Sequence, residues 1–176
     1  RPLTPDAQAL LALFARLIGA FVERERLVER LRAANATLAA HAMSDPLTGL
    51  PNRRALVDEL QRLLARARRE RGRVLVGVVD LDGFKGLNDR HGHPVGDLLL
   101  QEVGRRLAGT LRATDMLGRL GGDEFLIVGP GPVAAPAAAA QEAARLLQQR
   151  ASAATAGPYT LGALNLDYGG ASVGVV

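Results

Sequence analysis

Residues 74–85 read VLVGVVDLDGFK, and this stretch decides the fold. The run from Val74 to Val79 is apolar throughout, which predicts a buried strand that ends at Asp80. A carboxylate at a strand end, followed by a turn that contains glycine, can hold a hard cation through oxygen ligands. Asp80 and the turn that leads to Lys85 are therefore the first candidate for a functional site.

The segments around this strand predict an α+β domain. Upstream, breaker residues at 44–52 predict a wide turn, and a helix is expected over 53–71 with four leucines facing inward: Leu56, Leu60, Leu63 and Leu64. Downstream, we expect a helix at 95–114, strands at 116–120 and 124–128, a loop at 129–136, a helix at 137–150 and mostly strand beyond. The order β-α-β-β-α-β predicts an antiparallel-rich sheet with helices on one face, a ferredoxin-like layout.

Two further polar clusters follow the strand. One is the hairpin turn Gly121 to Glu124, where glycines let the backbone approach a ligand and two adjacent acids call for a cation or substrate. The other runs from Asn88 to Asp97 at a helix entrance. If the strand lies beside the hairpin, Asp80 and Asp123 meet near Lys85, as in a magnesium–triphosphate site. The alternatives are an acidic turn, a helix N-cap at Asp97 and ordinary hairpin chemistry.

Composition limits the possible partners. The net charge is +4, the basic residues are dispersed, and four Phe and two Tyr offer little for base stacking, so a nucleic-acid partner is not predicted. All but one of the 22 basic residues are Arg, and the exception, Lys85, suits a phosphate as a compact point charge. Cysteine is absent, which excludes disulfides and thiolate metal sites and fits a cytoplasmic location. The longest apolar stretch, Ala9 to Val22, is interrupted by Arg16 and predicts no membrane segment.

Residues 1–43 predict a long helix with a heptad seam. The seam positions are Leu10, Phe14, Leu17, Phe21, Arg24, Val28, Leu31, Asn35, Leu38 and Ala42. A lone helix would leave this stripe exposed to water, so we expect a parallel coiled coil with a second copy. The alternative is an amphipathic helix packed on its own domain. Residues 44–176 would then form the second domain.

The ordered motifs resemble the GGDEF family of diguanylate cyclases. The resemblance covers Asp45 to Val176 and rests on Asp45 to Arg54, Asp80 to Lys85, Asn88 to Asp97 and Gly121 to Phe125. It implies a palm-type domain with a five-stranded sheet, which joins two GTP molecules into cyclic di-GMP and releases two pyrophosphates. It also implies two Mg²⁺ or Mn²⁺ ions for each GTP.

The resemblance also implies roles for individual residues. The metal ions would be bound by Asp80, the Leu81 carbonyl and Asp123, and the catalytic group would comprise Asp123, Glu124 and Lys85. GTP would contact Gly122, Gly83, Phe84, Lys85, Asn88, His93 and Asp97, with Asn88 and Asp97 on guanine. Arg112 and Asp115 have the RxxD spacing of the product-inhibition site, and Arg145 matches its secondary arginine.

Two other functions stay open at this stage. One is a GGDEF module that binds GTP or cyclic di-GMP as a sensor without making product, and the other is a structural coiled-coil adaptor that binds no nucleotide. The intact Asp80, Asp123 and Glu124 favour the enzyme.

Each domain would bind one GTP, so a homodimer through the N-terminal helix is expected. The family has a further helix after Ala171 to Val176 with a lysine and an arginine on the triphosphate, so this sequence is expected to be C-terminally truncated, with weak GTP binding or slow turnover. Leu3 to Leu27 resembles the closing helix of a GAF-type sensor, so an upstream sensor domain is expected.

Overall fold

The computed structural model describes residue 16, residues 18–19, residues 21–30 and residues 43–176. The chain divides into two units, Arg1–Ala42 and Met43–Val176. In the first unit the described residues are helical, and residues 21–30 are numbered α1. Phe21 and Leu27 are 61% and 58% exposed there. Most of the predicted heptad seam, Asn35 included, lies outside the described residues, so the coiled coil stays a prediction.

The second unit contains four helices and six strands. They are, in chain order, α2 (Arg53–Glu70), β1 (Val74–Leu81), α3 (Phe84–His91), α4 (His93–Thr110), β2 (Met116–Gly121), β3 (Glu124–Pro130), α5 (Ala137–Thr155), β4 (Gly157–Leu161), β5 (Leu164–Tyr168) and β6 (Ala171–Val175). None of the helices in the described part of the chain is long and apolar enough to cross a membrane.

The sheet has the strand order β2-β3-β1-β6, and every neighbouring pair is antiparallel. β1, the strand predicted from the apolar run, lies in the interior of the sheet and is paired on both sides. The predicted α+β fold with an antiparallel sheet is confirmed. The described residues give four strands in this sheet rather than five, because β4 and β5 pair with each other as a separate two-stranded sheet.

Helices cover both faces of the sheet, so the prediction that they all lie on one face is wrong. α4 and α5 pack on the face that contains Val79, while α2 packs through Leu56 and Leu63 on the face that contains Val128. Successive residues of a strand point to opposite faces, and β1 and β3 are apolar enough to bury both. Leu64, predicted to face inward, is 44% exposed.

Two predictions of local structure also need correction. Residues 84–91 form α3, a helix that we did not predict, so Asn88 lies within a helix rather than at a helix entrance. Eight residues that include Gly86 give too little apolar periodicity for the helix to be recognised. The next helix was expected to reach Thr114, but it ends at Thr110 because Leu111 takes an extended conformation.

The predicted wide turn closes on itself before α2 begins. The amide of Asp45 donates to the Leu50 carbonyl at 2.7 Å, and the Thr48 hydroxyl donates to the Asp45 carboxylate at 2.7 Å. Asn52 then caps α2, since its side-chain oxygen accepts from the amides of Arg54 and Ala55. The turn therefore delivers the chain to α2 in a defined direction.

Arg119 joins this turn to the sheet. Its guanidinium contacts the Asp45 carboxylate at 3.0 Å, and its amide donates to the Pro51 carbonyl at 2.9 Å. Burial alone would raise the pKa of Asp45, but the hydrogen bonds from Thr48 and Arg119 outweigh burial and lower it below its ordinary value of 3.8. Both side chains are mostly buried, at 12% and 16% exposed, so water screens the ion pair weakly.

The first prediction concerns this ion pair and pH. Because the folded pKa of Asp45 is lowered, the stabilisation is present above pH 3.8 and is lost as the pH falls through the lower folded value. Asp45→Asn should reduce the free energy of unfolding by about 2 kcal/mol at neutral pH, and the deficit should shrink in acid. Urea unfolding over a pH series measures both. The exposed Asp167→Asn is the control, and a deficit that does not change with pH would contradict the assignment.

The second prediction concerns the close approach of β2 to the turn. A Cβ at Gly118 would collide with the Pro51 carbonyl and would lie 2.7 Å from the Leu56 side chain. Gly118→Ala should therefore cost about 2 kcal/mol or more. Gly109 in α4 has open space around it, so Gly109→Ala should stabilise by about 0.5 kcal/mol. Thermal unfolding of the two variants checks the opposite signs, and equal effects would show that the contact is unimportant.

Candidate functional site

The site lies where β1 ends beside the beginning of β3. Asp80 is the register partner of Glu124, and the Leu81 amide donates to the Asp123 carbonyl at 3.4 Å. The pairing of β1 with β3 therefore brings together the strand end and the hairpin turn that the sequence analysis singled out. On the other edge of β1, Asp80 pairs with Ser172 of β6. Ser172, Asp80 and Glu124 thus form a row across three adjacent strands.

The row faces away from the α4–α5 core. Val79 and Phe125 are fully buried against that core, so their neighbours Asp80 and Glu124 project to the opposite face, beyond the part that α2 covers, where both are exposed. Among residues 43–176, the side chains of Asp80, Asp123 and Glu124 make no hydrogen bond and no ion pair. Carboxylates opposite one another in a sheet repel, so this arrangement favours a cation as their common partner.

The hairpin turn between β2 and β3 depends on two glycines. Gly121 and Gly122 have φ angles of 142° and 54°, where a side chain would be strained, and a Cβ at either position would meet open space. The backbone is thus accessible from solvent. Arg119 supports the turn, because its Nε and Nη2 donate to the Gly122 carbonyl at 3.0 and 2.7 Å. Sequence analysis missed Arg119, since its partner Asp45 lies 74 residues away.

A second turn joins β1 to α3. Gly83, with φ 71°, is the N-cap of α3 and offers no side-chain cap to the amides that follow. Uncapped amides at a helix N-terminus attract anions. Phe84 and Lys85 occupy the first turn of this helix, and Lys85 is exposed with no ion-pair partner in the described second unit. These features suit an anionic group above the turn.

Asn88 on α3 lies in a cradle formed by Gly96 of α4. A Cβ at Gly96 would collide with the Asn88 side-chain oxygen, so only glycine leaves room for this amide. That oxygen is buried and has no hydrogen-bond partner within residues 43–176. A buried unpaired acceptor is costly unless a ligand supplies the donor. His93 and Asp97 are exposed on α4, so the two predicted guanine contacts, Asn88 and Asp97, and the neighbouring His93 lie on two adjoining helices.

The residues of the predicted inhibitory site line two different cavities. Arg112 and Asp115 lie in a tight turn after α4 rather than on a helix end, and the Arg112 amide donates to the Asp115 carboxylate at 3.0 Å. Both line a shallow cavity of about 280 Å³. Arg145 lies on α5, contacts Glu142 at 2.6 Å and lines a different cavity.

The donor set at the strand ends fits Mg²⁺. Within the described ranges, no group of three or more His, Cys, Asp or Glu side chains could hold a metal ion. Mg²⁺ does not need such a cage, because it is commonly bound by one or two carboxylates together with substrate phosphates and water. Asp80 and Asp123, together with the carbonyl of Leu81, would supply this kind of partial shell.

Comparison with known proteins agrees with this geometry. The family model described as "Diguanylate cyclase, GGDEF domain" matches residues 42–174. Diguanylate cyclase DgcP of Escherichia coli K12 is 45% identical over 170 residues, which is 97% of this chain and 48% of that protein. The chain thus spans about half the length of this relative.

Solved structures show the same fold. A sensory box/GGDEF family protein from Caulobacter crescentus matches with a TM-score of 0.68 at 36% identity, covering 76% of this chain and 82% of that one. The coiled coil and GGDEF domain of DgcB from the same organism, in complex with c-di-GMP, matches with a TM-score of 0.72 at 30% identity, covering 93% and 81%. Fold, motifs and sequence identity together establish that this chain belongs to the GGDEF family of diguanylate cyclase domains.

Proposed function

We propose that this chain is the catalytic domain of a magnesium-dependent diguanylate cyclase that converts two GTP into cyclic di-GMP and two pyrophosphates. The observation that carries the proposal is the unpartnered carboxylate pair Asp80 and Glu124, held in register at the strand end next to Asp123. Such carboxylates suit a nucleotidyl transfer, because they can hold the cations that neutralise the negative charge of the triphosphate where the new bond forms.

The reaction forms one bond and breaks one bond at each α-phosphorus. The 3′-oxygen of one GTP attacks the α-phosphorus of the other, the bond to the β-phosphate oxygen breaks, and one proton and one pyrophosphate leave. Asp80, Asp123 and the Leu81 carbonyl would hold two Mg²⁺ or Mn²⁺ ions, which neutralise phosphate charge and lower the pKa of the attacking hydroxyl. Glu124 lies across from Asp80 and would support a metal ion or the hydroxyl.

The two turns would bind the phosphates of GTP, and α3 and α4 would bind its guanine. The open backbone at Gly122 and the uncapped start of α3, with Gly83, Phe84 and Lys85, would hold the phosphates. The buried Asn88 oxygen would accept a hydrogen bond from guanine, and Asp97 would accept from its ring nitrogen and amine. His93 would lie at the edge of the same pocket.

Two such domains have to face each other, because each binds one GTP and both 3′-oxygens must attack. We assign residues 1–43 to a dimerising coiled coil and residues 44–176 to the catalytic domain. Tethering through the coiled coil would raise the local concentration of the partner half-site.

We further propose a cytoplasmic location, where GTP is available, since the chain contains no cysteine that an oxidising compartment would pair.

The third prediction tests the chemistry. Asp123→Asn in the full-length protein should lower cyclic di-GMP formation by about a hundred-fold or more, because a charged metal ligand is lost and the cations that neutralise the phosphate charge are held less tightly. Products formed from GTP and Mg²⁺ are identified by mass spectrometry, and circular dichroism checks the fold. The exposed Asp167→Asn should retain native turnover. Native protein that binds GTP without making product would instead identify a sensor module.

Product inhibition is the regulatory part of the proposal. Cyclic di-GMP would bind Arg112 and Asp115, with Arg145 supplied from α5, and hold two GTP sites apart. The open cavity beside Arg112 and Asp115 supports this site, and the Glu142 ion pair would have to release Arg145. Arg145 is 53% exposed at its side chain, so that release costs little.

The fourth prediction follows from the Arg112 side chain. Arg112→Ala removes the guanidinium but keeps the backbone hydrogen bond to Asp115. The cyclic di-GMP concentration that halves turnover should therefore rise by about ten-fold or more, while turnover without added product stays native. The control is Arg62→Ala, which also removes an exposed guanidinium, but from α2. Equal inhibition of both variants would place the inhibitory site elsewhere.

A further inference from the structure

Asp82 lies between the end of β1, which carries the proposed metal ligands, and the turn that joins β1 to α3, called the phosphate turn below. Its amide, carbonyl and carboxylate are all hydrogen-bonded to residues 168–172. Its amide donates to the Gly170 carbonyl at 3.2 Å. Its carbonyl accepts from the Tyr168 hydroxyl at 2.8 Å, and its carboxylate accepts from the Ser172 hydroxyl at 2.8 Å. These partners belong to the end of β5, the connection after it and the beginning of β6, 86 to 90 residues away in sequence.

The first of these bonds determines where the Leu81 carbonyl points. In a trans peptide the carbonyl of one residue and the amide of the next point in opposite directions. Since the Asp82 amide points toward Gly170 on the β6 side, the Leu81 carbonyl points away from β6, toward the side on which β3 and Asp123 lie. The Asp82 amide bond thus fixes the orientation of a predicted metal ligand.

The second bond fixes the next peptide unit, where the phosphate turn begins. With the Asp82 carbonyl held by Tyr168, the direction in which the chain enters Gly83 is set, and Gly83 starts α3 with Lys85 in its first turn. Tyr168 is 7% exposed, and its ring packs edge-to-face on Tyr159 at 5.8 Å. A hydroxyl on a ring held in this way is a rigid donor.

The electrostatic surroundings keep this donor protonated. Burial raises the pKa of the Tyr168 phenol, and the charges of Asp82, Asp123 and Asp80 raise it further. The hydroxyl is therefore protonated at neutral pH and can act as the donor.

The hairpin that carries Tyr168 is itself anchored to α4. The Arg106 guanidinium lies 3.7 Å from the centre of the Tyr159 ring and also donates to the Pro158 carbonyl. Glu102 holds Arg106 in place at 2.9 Å. Tyr168 is thus supported by an element packed on the core rather than by a free loop.

We propose that Tyr168 and Ser172 are positioning residues, which act through Asp82 to aim the Leu81 carbonyl at the metal site and to set the turn that presents Lys85. They touch neither substrate nor metal. This inference rests on the proposed cyclase function, and its chemistry concerns the affinity for Mg²⁺–GTP. Outer-shell partners of this kind alter metal affinity because they hold an inner ligand in its productive direction.

The two tyrosines offer a matched test, and this is the fifth prediction. Tyr168→Phe and Tyr159→Phe each remove one hydroxyl that donates to a carbonyl at 2.8 Å, but the Tyr159 hydroxyl donates to Thr155 at the end of α5. In the full-length protein, Tyr168→Phe and Ser172→Ala should raise the half-saturating Mg²⁺ concentration by about ten-fold. Tyr159→Phe should leave it native, even if it lowers the melting temperature equally.

Substitution of Asp82 separates positioning from direct metal binding. Asp82→Asn keeps an oxygen that can accept from Ser172 and should stay close to native, whereas Asp82→Ala should resemble Ser172→Ala. Equal damage from Asn and Ala would make Asp82 a metal ligand and overturn the proposal. Native Mg²⁺ dependence in both Tyr168→Phe and Ser172→Ala would overturn it as well.

A calorimetric titration with GTP and Mg²⁺ keeps this test independent of turnover. If the native protein forms no cyclic di-GMP, the proposed function fails, but the titration still shows whether Tyr168→Phe weakens Mg²⁺-dependent GTP binding relative to Tyr159→Phe. Ser172 is exposed, so Ser172→Ala provides the answer if Tyr168→Phe does not fold.

Discussion

The site depends on β1 being hydrogen-bonded along both of its edges. Because β3 lies on one side and β6 on the other, the end of β1 is fixed from two directions at the point where Asp80 emerges. An edge strand would fray there, and its carboxylate would sample many positions. Burial of Val79 on one face anchors the strand further, so Asp80 on the opposite face can stay exposed without loosening the sheet.

Sequence reasoning succeeded where the signal was local. The apolar run before Asp80 and the glycine pair before Asp123 each fit within a few residues, and each predicted its own element. Their juxtaposition followed once β1 and β3 were assumed to pair, as they do. Sequence reasoning failed where the buried face of a helix, or the residue at which it ends, depends on distant parts of the chain. Leu64 looks like its buried neighbour Leu63, and only the position of α2 on the sheet distinguishes them.

The supporting contacts were beyond sequence reasoning for the same reason. Arg119 reads as one of many arginines in an arginine-rich chain, and nothing near it in sequence indicates that its partners are Asp45 and the Gly122 carbonyl. Tyr168 and Ser172 read as ordinary strand residues. Side-chain roles of this kind come from the antiparallel topology, which brings chain segments more than 70 residues apart to the same end of the sheet.

The facing carboxylates Asp80 and Glu124 also couple the stability of the folded domain to the binding of a positively charged ligand. With no cation between them, their repulsion lowers the stability of the native state. A ligand that brings positive charge removes that repulsion, and it stabilises the native state further by binding it in preference to the unfolded chain. Under the proposed function the domain would therefore have two stabilities, one without ligand and one with the nucleotide and its metal ions bound. Changes far from the site that weaken the core would then be tolerated in a cell rich in nucleotide and exposed when nucleotide runs low.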